Sequence, residues 1–248
     1  MAERWVEGEV VDKVVWAAER VSLRVQAPIE PFVAGQFTKL GLEIGGEIVA
    51  RPYSMVNPPH ERPLDFYLTT IPGGPLSNRL ARLAAGDRVL VMPRPAGFLT
   101  LAEMPAGRVL WLMASGTGIG PFLSILRGDE PWRRFERVVL IHAVRKATDL
   151  AYGDDIAAVG RRQAEQFAFV PFVSREATDF AVIGRIPEAV RNGRLETRAT
   201  HPLDPADGRV MLCGNPAMVD DVTAALRERG FKKHRRRDPG QILVETYW

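Results

Sequence analysis

The run Val109-Leu110-Trp111-Leu112-Met113-Ala114-Ser115, followed by Gly116-Thr117-Gly118-Ile119-Gly120-Pro121-Phe122-Leu123, constrains this chain more than any other stretch. An apolar segment of strand length enters three glycines spaced two apart, and a proline then opens an apolar, helix-like segment. Glycine lets the backbone take positive φ and approach a ligand closely, and Pro121 suits a first helical turn. Backbone N–H groups at such a helix start attract an anion such as a phosphate. An ordinary strand–helix turn in an α/β domain carries the same pattern. Pro121 also stands where the third glycine of G-x-G-x-x-G falls, so the flanking sequence has to decide.

The two flanks differ in kind. From Trp5 to about Met92 short strands alternate with turn signals: Trp5–Val15, Val21–Gln26, Gln36–Leu42, Glu47–Ala50, Asp65–Thr70 and Arg88–Met92, with Gly45-Gly46 as a hairpin turn. Only Pro75–Ala85 has helical apolar spacing. Many short strands with one helix predict a small antiparallel β-barrel. After Met104-Pro105-Ala106-Gly107, strand-like runs at Arg108–Ala114, Arg137–Val144, Phe167–Val173 and Arg209–Cys213 alternate with helical stretches near Pro121–Arg127, Leu150–Glu165, Ile186–Asn192 and Pro216–Arg229. That alternation predicts a doubly wound parallel α/β sheet. The expected division is 1–103 for the barrel and 104–248 for the α/β domain, with Gln241–Trp248 as a final strand.

Composition narrows the function classes. Cys213 is the only cysteine, which excludes an intrachain disulfide, a zinc knuckle and a four-cysteine iron–sulfur site. His60, His142, His201 and His234 have no metal-ligand spacing, so no metal is expected. No apolar run approaches the ~18 residues of a membrane span, and the N-terminus is charged from Glu3-Arg4, so a cytoplasmic protein is expected without a membrane role. The 28 arginines against 5 lysines favour bidentate phosphate contacts, although a coding bias gives the same excess.

Several motifs carry chemistry. In Arg51-Pro52-Tyr53-Ser54, a fork-shaped phosphate donor stands beside an aromatic face and a hydroxyl, a set that suits a flavin. Pro72-Gly73-Gly74 precedes the start of the one barrel helix, a second phosphate-friendly position or a plain turn. Arg145, Arg175 and Arg185 follow predicted strands, the end at which open α/β sheets bind ligands. Ser174-Arg175 suits a ribose 2′-phosphate where an acidic residue would suit a 2′-hydroxyl. Cys213-Gly214-Asn215-Pro216 follows a strand and opens a helix, and a lone cysteine there equally serves packing. Lys232-Lys233-His234-Arg235-Arg236-Arg237 is the densest charge run; without interleaved aromatics it is not expected to bind nucleic acid. It fits docking of an acidic partner or a solvated loop equally well.

Taken in order, Arg51–Ser54, Thr69–Ser77, Gly116–Pro121, Val173–Glu176, Cys213–Met218 and the terminal Tyr247-Trp248 resemble the ferredoxin–NADP reductase family, in particular its bacterial ferredoxin/flavodoxin–NADP reductases. The resemblance runs the length of the chain. It implies FAD held by Arg51, Pro52, Tyr53, Ser54, Tyr67, Leu68 and Thr69, with Gly74, Pro75, Leu76 and Ser77 at its pyrophosphate. It places Thr117 between flavin and nicotinamide, and Tyr247 and Trp248 against FAD, Trp248 at its adenine end. For NADP(H) it implies Gly116, Thr117, Gly118, Arg145, Ser174, Arg175, Arg185, Cys213, Gly214, Asn215 and Asp220, with Ser54, Cys213 and Glu245 as the catalytic polar wall. The implied activity is hydride transfer between NADP(H) and FAD, then single-electron exchange with ferredoxin or flavodoxin, an acidic carrier, by a monomer. The alternatives are the reductase component of an oxygenase or haem protein system, and a non-catalytic nucleotide-binding module.

Overall fold

The computed structural model describes residues 4–246, which form two six-stranded sheets. In the first, β1 (Val6–Ala17), β2 (Arg20–Gln26), β3 (Phe37–Ile44), β4 (Glu47–Ser54), β5 (Leu64–Thr69) and β6 (Arg88–Val91) pair antiparallel in the order β4-β3-β6-β1-β2-β5. A bridge between Met55 and Phe66 joins the two outer strands and closes the sheet toward a barrel. The β3–β4 hairpin turns at Gly45-Gly46, both at positive φ, which two-residue hairpin loops require. Val10, Leu23, Leu40, Leu64, Phe66 and Val91 fill the interior.

The predicted barrel helix is shorter than its apolar spacing. Regular α-helix covers only α1, Ser77–Leu80, and irregular turns continue from Ala81. Leu76 and Leu80 are nonetheless buried, with Leu83 packed beside them, against the barrel core. The spacing reports that plugging contact rather than a regular helix.

The second sheet is parallel throughout: β7 (Val109–Ser115), β8 (Arg137–Val144), β9 (Phe167–Val173), β10 (Val182–Ile183), β11 (Gly208–Gly214) and β12 (Ile242–Thr246), in the order β10-β9-β8-β7-β11-β12. The helices are α2 (Gly120–Leu126), α3 (Glu130–Arg134), α4 (Gly153–Arg162), α5 (Ile186–Arg191), α6 (Arg194–Ala199) and α7 (Pro216–Glu228). Because both faces are covered, β7 is apolar from Val109 to Ala114. Leu110, Leu112 and Ala114 face the core shared with the barrel side, and Val109, Trp111 and Met113 face α5 to α7. The short α3 and α6 escape prediction, since five or six residues carry too few turns to show a period.

The strand order has one functional consequence. The chain winds outward from β7 to β10, then returns to place β11 on the other side of β7. A ligand crevice forms where the winding reverses, outside the carboxyl ends of those two strands. Ser115–Gly118 and Cys213–Asn215 occupy that point.

Candidate functional site

The first predicted group gathers around one cleft. A cavity of about 430 Å³ is lined by Arg51, Pro52, Tyr53, Ser54, Tyr67, Leu68, Thr69, Ile71, Gly74, Pro75, Leu76, Ser77 and Thr117. Its volume falls within the ~300–1,000 Å³ of small-molecule sites. β4 and β5 supply the walls, and Thr117 reaches in from the loop after β7, so both sheets contribute. Ile71 also lines it, inside the Thr69–Ser77 motif but given no role of its own by the sequence.

A cofactor with an aromatic ring and a diphosphate fits this donor set. Tyr53 and Tyr67 flank it with aromatic surface, and the buried Tyr67 hydroxyl has no hydrogen-bond partner among the described residues. Burial pushes the Tyr53 hydroxyl up to about 12, against a smaller opposing effect of Arg51, so it stays a neutral donor. Arg51 is exposed, with Nη1 on its neighbour's carbonyl of Ala50 at 2.7 Å. At the far end, the loop before α1 is tied shut. Gly74 N–H donates to the Ile71 carbonyl (2.8 Å), and Ile71 N–H donates to Ser77 Oγ (3.1 Å). Asn78 Nδ2 donates to the carbonyls of Ile71 (2.7 Å) and Gly74 (2.8 Å). Asn78 is thus a structural staple of the loop, unmarked because it lies one residue beyond the motif.

Between β7 and α2 the structure has the strand, tight turn and helix start expected from sequence. A 3₁₀ turn, Gly116–Ile119, intervenes before α2 begins at Gly120. The three glycines then separate in purpose. Gly116 has φ +54°. Gly118 packs on β11: a Cβ there would lie 2.6 Å from the Cys213 carbonyl carbon and 2.8 Å from Gly214 Cα. Gly120 has room, its added Cβ meeting only Val56 Cγ2 at 3.4 Å. Gly118 therefore serves a backbone-to-backbone approach within the protein, where the sequence suggested approach to a ligand. The loop after β11 is bound to the same point, because Asn215 N–H donates to Ser115 Oγ (3.1 Å). Asn215 caps α7 through Oδ1, which accepts from Ala217 and Met218.

Ser174, Arg175 and Arg145 stand together at the ends of β8 and β9, where Ser174 N–H donates to Val144 (3.1 Å) and Arg175 N–H to Arg145 (3.0 Å). Arg185 follows β10 at the position just before α5, and all four side chains are exposed. Asp220 is exposed on α7. Cys213 is fully buried in the core between the sheet and the barrel, which is the packing role weighed above. Glu245 pairs in register with Cys213 across β11 and β12. Tyr247 and Trp248 lie outside the described residues.

Glu245 is largely buried beside Gly97 of the barrel, and its Oε1 has no hydrogen-bond partner among the described residues. Desolvation raises its pKa from 4.5 to about 7. The folded state therefore holds a proton that the unfolded chain releases, and stability declines as pH rises from 4.5 to about 7, then levels off. Glu245→Gln removes that penalty. The variant is expected to be more stable than the parent by about 3 kcal/mol at pH 8, at about 1.4 kcal/mol per pKa unit, and indistinguishable near pH 4.5. Urea unfolding at both pH values checks this; equal midpoints at pH 8 would refute it.

Comparisons with known proteins agree with this arrangement. Residues 9–98 match the family model of the oxidoreductase FAD-binding domain, and 112–224 that of the oxidoreductase NAD-binding domain. The chain is 46% identical over 245 residues to the flavodoxin/ferredoxin–NADP reductase of Escherichia coli strain K12, covering 98% of this chain and 99% of that one. It is 38% identical to ferredoxin–NADP reductase A of Sorangium cellulosum, covering 99% of this chain and 91% of the relative. Among solved structures, a ferredoxin NADP⁺ reductase from Neisseria gonorrhoeae with bound FAD and NADP superposes with a TM-score of 0.94 at 34% identity, each chain covered completely.

Proposed function

The chain belongs to the flavodoxin/ferredoxin–NADP reductase family, and from that premise we propose how its own residues serve an FAD-dependent oxidoreductase. The observation that carries the reading is Thr117: the nucleotide loop of the α/β domain lines the same cleft as Tyr53 and Ser54 of the barrel. A site built across that junction would hold two ligands within reach of each other. FAD supplies the redox chemistry when bound, exchanging hydride with NADP(H) and single electrons with a protein carrier.

The protein's part is binding and orientation. Tyr53 would offer its face to the ring system, Arg51 would neutralise a phosphate, and Ser54 would offer its hydroxyl to a ring nitrogen. Tyr67, Leu68 and Thr69 would hold the ring and its polyol chain, and the Gly74–Ser77 loop would receive the pyrophosphate. Thr117 would contact both cofactors. Gly116, Gly118, Gly214 and Asn215 shape the nicotinamide end, with Cys213 and Glu245 as its polar wall, and Glu245 holds a proton there below about pH 7. Asp220, exposed on α7, would meet the adenosine end of NADP(H). The domains divide at residues 103 and 104, and the enzyme acts as a cytoplasmic monomer.

The carrier is an acidic ferredoxin or flavodoxin. In the 232–237 run, Lys232 pairs with Asp238, and Arg236 pairs with Glu103 (2.8 Å) while stacking 4.4 Å over the exposed Phe98 ring. Among the described residues, Lys233, Arg235 and Arg237 are exposed without a carboxylate partner and are left to steer such a carrier.

Purified protein is expected to be yellow, to release FAD on denaturation, and to reduce a ferredoxin or flavodoxin with NADPH; a flavin-free preparation that FAD does not reconstitute refutes the reading. Arg175→Ala is expected to lower kcat/KM for NADPH by about 10–100-fold, the scale of one charge-assisted bond. The value for NADH should stay within about threefold, a difference below 1 kcal/mol. Equal losses with both nucleotides would remove the 2′-phosphate assignment.

A further inference from the structure

His142 lies on β8, beneath the nucleotide loop, and is completely buried. Its Nε2 stands 2.9 Å from the Gly116 carbonyl oxygen. A carbonyl can only accept, so Nε2 carries the proton. The other ring nitrogen, Nδ1, is buried with no hydrogen-bond partner among the described residues, the setting of a bare lone pair. A protonated ring would bury an unpaired N–H and a charge. Burial accordingly holds the pKa down at about 4; the Gly116 bond and Asp149 oppose this, and Arg20 adds to it.

The bonded carbonyl belongs to the peptide between Gly116 and Thr117. That peptide is trans and planar, so its C=O and N–H point in opposite directions. Drawing the Gly116 oxygen inward onto His142 turns the Thr117 N–H outward, away from the core. Gly116, at φ +54°, is the residue that permits this orientation. Thr117 is the α/β-domain residue that lines the cleft.

We propose that His142 is a positioning residue: by donating from Nε2 to the Gly116 carbonyl it aims the Thr117 amide at an oxygen acceptor of the nicotinamide nucleotide. The inference rests on the NADP(H) reading above. Nothing in the sequence marks it, because His142 and Gly116 are 26 residues apart and meet only through strand pairing.

The test compares His142→Leu, which deletes the donor, with His142→Gln, whose Nε2 is the same number of bonds from Cβ. NADP⁺ dissociation constants are measured by calorimetry on the FAD-loaded proteins. The leucine variant is expected to bind about tenfold more weakly, the scale of one lost hydrogen bond, and the glutamine variant within about threefold of the parent. Equal weakening in both variants, or none in either, overturns the inference. A parent protein that binds no NADP⁺ overturns the function proposed above and the inference with it. Should the leucine variant not fold, ring-nitrogen NMR of the parent at neutral pH decides. A neutral, ε-protonated ring supports the assignment, and a δ-protonated or doubly protonated ring overturns it.

Discussion

Replacing Tyr152 with alanine is expected to cost about 3–5 kcal/mol, the range for deleting a large buried ring, and to loosen the barrel from the α/β domain. Tyr152 precedes α4 in the left-handed region, φ 59° and ψ 29°, an uncommon conformation for a bulky residue. Its ring lies 4.6 Å from that of Trp16 and meets Tyr67 edge-on at 5.4 Å, both on the barrel. The hydroxyl ends a buried chain of donors. Trp16 Nε1 donates to Ser22 Oγ (2.7 Å), Ser22 to the Tyr152 hydroxyl (2.5 Å), and that hydroxyl to Asp65 Oδ1 (3.2 Å). Desolvation raises the Asp65 pKa to about 6 despite Arg24, Arg127 and this bond, so removing Tyr152 also leaves a buried carboxyl short of a donor. Tyr152→Phe keeps the ring and should cost only about 1–2 kcal/mol. Urea unfolding with hydrogen exchange along β2 and β5 separates the two variants. Equal losses would show that the ring packing contributes nothing.

Gly118→Ala is expected to be the most damaging single methyl in the nucleotide loop. The added carbon would meet the backbone of Cys213 and Gly214, which cannot rotate aside as a side chain can. Forcing the two loops apart costs about 1–3 kcal/mol. The shifted atoms also carry Thr117 and Cys213, so NADPH should bind more weakly even where the fold survives. Gly120→Ala is the internal control. Its backbone is helical, at φ −49° and ψ −58°, and the new methyl meets only Val56, so it should be neutral or stabilising by up to about 1 kcal/mol. Thermal melts and NADP⁺ titrations of both variants check the pair; if Gly118→Ala behaves like Gly120→Ala, the contact with β11 does not constrain the loop.

The same interlock explains how far a linear reading reaches. Arg137–Val144 and Phe167–Val173 coincide with β8 and β9, because apolar runs of strand length between turn signals are local patterns. The flavin-cleft motif was legible for a related reason. Arg51–Ser54 ends one strand and Tyr67–Thr69 another, and donor, aromatic and hydroxyl are chemically specific when contiguous. The Pro75–Ala85 pattern has helical spacing beyond the four residues of α1 because Leu76, Leu80 and Leu83 record a buried face without recording hydrogen bonds.

The sequence by itself determined the antiparallel half, the parallel half, the glycine loop and the arginine-marked strand ends, since each follows from propensities acting over a few residues. Only the tertiary structure decided that Gly118 exists for β11, that His142 holds Gly116, and that Tyr152 joins Ser22 and Asp65 across 130 and 87 residues of chain. Those contacts depend on sheet order and on the meeting of two domains. A buried histidine or tyrosine has the same local sequence signature whether or not a partner waits there, so the partner becomes visible only when the fold brings it within hydrogen-bond reach.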